Sequence, residues 1–150
     1  MIAWHSQELP TSCVSACVRM VLQGLSLPLA ERQVRQMLGH TVFGLSLKKA
    51  HANLTAAGAL AHLYNDWNAD DLRDALRQKL YPIVGVERHV LGYPPASHAI
   101  VLLEIKSRTV NILDPFAGPQ AQAHTLTAFE LAWHLAGPEA LIIESPPQNL

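Results

Sequence analysis

The chain is poor in charge. Lys, Arg, Asp and Glu make up 15% of its 150 residues, against about 25% in an ordinary soluble domain. The net charge is −1 with histidine neutral, so no basic footprint points to a nucleic acid or an anionic membrane. Trp4, Trp67 and Trp133 are scattered and not interleaved with basic residues. No run reaches the roughly 20 apolar residues of a transmembrane helix. A secretory signal is not readable, because there is no basic start and no room for one before Gln7. The chain is therefore expected in the cytoplasm, or as a piece cut from something larger. Two cysteines do not make a disulfide framework. Cys13 and Cys17 are four apart on one predicted helix, a geometry that disfavours a bridge. The eight histidines show no HExxH or CxxC spacing, so neither a metal nor a cofactor is expected.

What is abundant is apolar surface, 49% of residues. In 150 residues that suffices for one domain, 1–150, with a sizeable core. So little charge also argues that one surface is covered by a partner or by more chain.

Hydrophobic spacing orders the elements. Helices are predicted over Cys13–Gly24, Leu29–Leu38 and Ser46–Ala57, the second with Glu31, Arg32 and Arg35 facing outward and the third capped by Ser46. Ala59–Tyr64 reads as a strand. Asn68 caps a fourth helix with Leu72, Ala75, Leu76 and Leu80 inward. Pro82–Glu87 is a β-branched strand, and Arg88–Ala96 a loop with Gly92, Pro94 and Pro95 as breakers. Ser97–Ile105 and Arg108–Asp114 are strands. Pro115–Ala123 reads as a loop, Thr127 as the cap of a short helix Ala128–Leu135, and Ala140–Glu144 as the last strand. Helices first and strands after give an α+β fold, an antiparallel sheet packed against a helical layer.

Cys13 lies on the first turn of the first helix. Free backbone N–H groups and the positive end of the dipole stabilise a thiolate there, the form that attacks carbonyl carbon. A buried structural cysteine is the competing assignment. A nucleophile needs a base and a group that orients the base. A hairpin tip centred on Lys106 would set His98 directly opposite Asp114 on one sheet face. Gln7, six residues before Cys13, could donate its side-chain amide to an oxyanion together with the Cys13 N–H.

The order Gln–x5–Cys at a helix start, a late apolar strand opening with His, and a strand ending in Asp-Pro resembles the C39 peptidase family. These papain-like cysteine proteases are best known as the leader-cleaving domains of bacteriocin-exporting ABC transporters. The likeness takes in GLSLKKAHANLTAAG, YPIVGVE and FELAWHLAGPEALIIE. It implies Cys13 as nucleophile, His98 as base, Asp114 as its orienter and Gln7 as the oxyanion-hole residue. It also implies a peptide or protein substrate of the double-glycine leader type, and an ABC exporter or other transport component as partner. Two features depart from the family: Val14 replaces the usual glycine after the cysteine, and no transporter is attached. Two alternatives stay open beside the peptidase: a catalytically silent binding module of an export system, and a papain-like deamidase or acyltransferase.

Overall fold

The apolar pattern changes from helical spacing to continuous β-branched runs along the chain, and the computed structural model, which describes residues 2–150, follows that change. Helices α1 (Cys13–Gly24), α2 (Glu31–Leu38) and α3 (Leu47–Ala56) come first. Then come β1 (Leu60–Tyr64), α4 (Ala69–Arg77), β2 (Ile83–Glu87), β3 (Ser97–Ile105), β4 (Thr109–Asp114), β5 (Ala117–Thr125), α5 (Leu126–Leu135) and β6 (Ala140–Ser145). Ser46 and Asn68 cap as expected. Ser46 Oγ accepts the Lys49 N–H, and Asn68 Oδ1 accepts those of Asp70 and Asp71. α4 stops at Arg77, so Leu80 lies beyond it. α5 starts before Thr127 because Thr125 takes the cap position and accepts from Ala128 N–H at 3.1 Å.

The strands form one antiparallel sheet in the order β1-β6-β2-β3-β4-β5. Helices cover both of its faces. α1, α2 and α3 pack on one face against Ile83, Ala99, Val101, Leu113 and Leu141. α4 and α5 pack on the other, with Leu72, Phe129 and Trp133 against Val84, Val86, Ile100, Leu102 and Ile112. Two covered faces explain why β2 and β3 are apolar at nearly every position instead of alternating.

Three expectations fail. Pro115–Ala123 is not a loop: most of it belongs to β5. β5 is an edge strand, mostly solvent-exposed, so it needs no apolar face and tolerates Gly118 and Pro119. Glu31 does not face outward; it is fully buried. Its Oε1 accepts the Glu8 N–H at 3.0 Å and lies 3.2 Å from Ser12 Oγ, while Oε2 meets Arg35 Nε at 2.9 Å. Finally, the β3–β4 hairpin turns at Ser107–Arg108, closed by Lys106 N–H to Thr109 O, and pairs Leu102 with Ile112 and Val101 with Leu113. A register shift between Leu102 and Glu104 separates these pairs from the turn.

The N-terminal segment is fastened across the β4–β5 turn. Trp4 Nε1 donates to Asp114 O at 2.7 Å, and Gln7 N–H donates to Pro115 O at 2.9 Å. A Cβ on Gly118 would stand 2.1–2.5 Å from atoms of the Trp4 ring. Gly118→Ala should therefore displace Trp4 and cost about 1–3 kcal/mol, the usual price of overpacking. A chemical-denaturation midpoint and tryptophan emission read this together; an unchanged midpoint would mean the ring does not dock on Gly118.

Candidate active site

α1 brings its first turn to the rim of a cleft of about 730 Å3, lined by residues from both ends of the chain, among them Gln7, Cys13, Arg88, His98 and Phe116. Ser12 stands at the cap position of α1, but its hydroxyl does not cap the helix. It accepts the Leu9 N–H and shares its own hydrogen between Leu9 O and Glu31 Oε1. The N–H groups of the first turn therefore stay available to the thiol. Burial alone would push the Cys13 thiol up, but hydrogen bonding to His98, the His98 charge and the N–H groups of Ala99 and Val14 outweigh it and hold the thiol below its ordinary value.

His98 and Asp114 are both buried, and His98 Nε2 donates to Asp114 Oδ1 at 2.6 Å. Nδ1 is then the ring nitrogen left for the thiol. Burial works against a charged imidazole, yet the Asp114 hydrogen bond and charge, with Cys13, raise His98 to about 9. Burial also works against the Asp114 carboxylate, and His98, the Phe116 N–H and Arg88 still bring it below its usual range. The resting form these shifts favour near neutral pH is thiolate, imidazolium and carboxylate.

His98 does not sit directly opposite Asp114. Extending the Leu102–Ile112 pairing by two residues sets Asp114 level with Ile100, two positions from His98. A two-residue offset keeps side chains on the same face, and the carboxylate reaches the ring diagonally. Gln7 does line the cleft. Its Nε2, however, donates to Leu9 O at 2.9 Å and lies 3.2 Å from Pro10 O, and its buried Oε1 has no partner among the described residues. Val14 packs into the helical core and forms part of the cleft wall. Cys17 is sealed in the interior, where burial, Cys13 and Asp114 all push its thiol well up. Reading the sequence missed Trp4, Glu31, Arg88 and Phe116, none of which falls in a motif.

The pKa directions fix how the thiols should react. Imidazolium persists up to about pH 9 and holds Cys13 ionised, so iodoacetamide should label Cys13 well below the roughly pH 8.5 at which a free thiol titrates. His98→Ala leaves burial unopposed by the imidazolium and should move that onset upward. Cys17 should stay unlabelled in the folded protein at every pH tested. A Cys13 profile matching that of a free thiol would remove the ion pair.

No family model and no curated protein matches the sequence. Solved structures do match the fold. The chain is similar to a C39-like peptidase structure from Bacillus anthracis, with a TM-score of 0.78 at 12% identity over 98% of each chain. It is similar to the peptidase domain of Streptococcus ComA, a bifunctional ABC transporter of a quorum-sensing pathway, with a TM-score of 0.77 at 15% identity over 99% of this chain and 100% of that one. It is also similar to a double-glycine-motif protease from an AMS/PCAT transporter in complex with the leader peptide, with a TM-score of 0.75 at 20% identity over 99% and 93% of the two chains. The fold is thus that of C39-like peptidases. Among the described residues no helix is long and apolar enough to cross a membrane.

Proposed function

We propose that this chain is a C39-like cysteine peptidase that cleaves a peptide bond through an acyl-enzyme on Cys13. One observation carries the reading: a helix-start thiol beside a buried imidazole that is itself hydrogen-bonded to a buried carboxylate, with thiol and imidazole both lining one open cleft. The thiolate attacks the scissile carbonyl carbon. The oxyanion that forms takes the backbone N–H of Cys13 and a side-chain N–H of Gln7. For that, the Gln7 amide must release its longer contact, to Pro10 O. The His98 imidazolium then gives its proton to the departing amine. Water, deprotonated by the neutral imidazole, attacks the acyl carbon, expels the Cys13 thiolate and restores the thiolate–imidazolium pair. Asp114 keeps the ring oriented throughout and stabilises its charge.

The fold likeness to peptidase domains of transporters supports a peptide substrate, and the leader peptide bound to one of them supports a leader sequence ending in small residues. By the same likeness, an export system is the partner that would deliver it, on the cytoplasmic side.

A peptide-library digest read by mass spectrometry tests the reading. Cys13→Ala and His98→Ala should abolish cleavage and leave the circular dichroism spectrum unchanged. Gln7→Ala should lower the rate by about 10²–10³, the usual loss of one oxyanion donor; a wild-type rate would take Gln7 out of the mechanism. Cys17→Ala should cost stability and little activity. Loss of activity that followed Cys17 instead of Cys13 would overturn the assignment of the nucleophile, and a product heavier by one mass unit with no cleavage would make the enzyme a deamidase.

A further inference from the structure

Arg88 opens the short 3₁₀ turn after β2 and lines the cleft. It is only 7% exposed. Buried arginines are normally paired, because an unpaired buried charge is costly. None of the ion pairs among the described residues includes Arg88. Its Nε is sealed off with no hydrogen-bond partner. The guanidinium is instead packed by aromatic rings, 5.0 Å from the centre of Tyr93 and 4.5 Å from that of Phe116. Such contacts steady the plane of the fork and use none of its N–H donors. Asp114 feels the Arg88 charge but makes no ion pair with it; its Oδ1 accepts from His98 and from the Phe116 N–H at 2.8 Å. Phe116 in turn stands edge-on to His98, with centres 6.3 Å apart. The Phe116 ring thus touches both the imidazole and a guanidinium that has no ion-pair partner among the described residues.

We propose that Arg88 is a specificity residue that binds a carboxylate of the peptide substrate, a few residues at most from the bond to be cut. The planar fork suits a carboxylate, which it can grip through two parallel N–H donors. The two rings cover the faces of the guanidinium and leave its edge for that contact. The carboxylate is an Asp or Glu side chain or the free C-terminus of a short peptide. The word substrate rests on the peptidase reading; the carboxylate site itself does not, because it can be measured without turnover.

The test uses the Cys13→Ala protein and fluorescent octapeptides. One set is amidated at the C-terminus and carries Glu or Gln at each position in turn; a second carries Gln throughout and a free C-terminus. A charge-assisted bidentate contact should make the carboxylate-bearing peptide bind about tenfold or more tightly than its neutral twin. Preference for Glu at one position identifies a side chain, and preference for the free over the amidated end identifies a C-terminus. Arg88→Met should abolish the preference, and Arg88→Lys should keep part of it. Equal binding of charged and neutral peptides, or a preference that survives in Arg88→Met, would overturn the proposal. Should Arg88→Met fail to fold, Arg88→Lys decides: an undiminished preference there also overturns it. An arginine that served only Asp114 would give a different result, no peptide preference and a higher pH onset of Cys13 labelling in Arg88→Met. Cleavage is scored separately with active protein. Glu peptides that bind but are never cut would retain the carboxylate site and sink the peptidase; cut peptides with no charge preference would do the reverse.

Discussion

The hydrogen bond between His98 and Asp114 is the contact on which the site depends. Both side chains are buried, so neither can lean on water for its charge. Each is tolerable there because of the other, and together they turn a weakly basic ring into a lasting cation beside a thiol. Much of the surrounding structure fixes the two ends of this contact. β3 and β4 hold the backbones in register, Trp4 grips the Asp114 carbonyl, and the Phe116 N–H shares the carboxylate. A second buried carboxylate does comparable work for Cys13. Glu31 ties down Glu8 and Ser12 and so shapes the segment leading into α1. By drawing the Ser12 hydroxyl away, it leaves the helix start uncapped, where a cap would compete with the thiolate for N–H donors.

The elements that a sequence can announce were announced locally. The start of α1 at Cys13, the caps at Ser46 and Asn68 and the bounds of β3 each depend on residues within one turn or one strand. So did the pairing of a histidine strand with an aspartate strand, since only parity was needed to bring the two side chains to one face. The absolute register was not legible, because a shift inside β3 and a later turn moved it together by two residues. β5 was not legible because it lies at the sheet edge and needs no apolar pattern. Glu31 has the surface spacing of an exposed acid on α2, and only tertiary structure reveals the N–H and hydroxyl donors that make its burial affordable. Arg88 carries no local signature at all; its interest comes from partners it lacks.

The likeness to solved structures at 12–20% identity shows how far a sequence can change while this fold stays the same. A sheet covered on both faces asks for apolar residues of suitable volume, and many combinations meet that requirement. Core identity can therefore drift widely while the fold persists.

The strand order has a consequence for assembly. β1 pairs only with β6, and β6 lies between β1 and β2. The first strand of the sheet in chain order is thus joined to it by the last, while β2, β3, β4 and β5 can pair with their neighbours before β6 is made. The hairpin that bears His98 and Asp114 belongs to that earlier group, so β6 completes the sheet after the candidate site's own strands are paired.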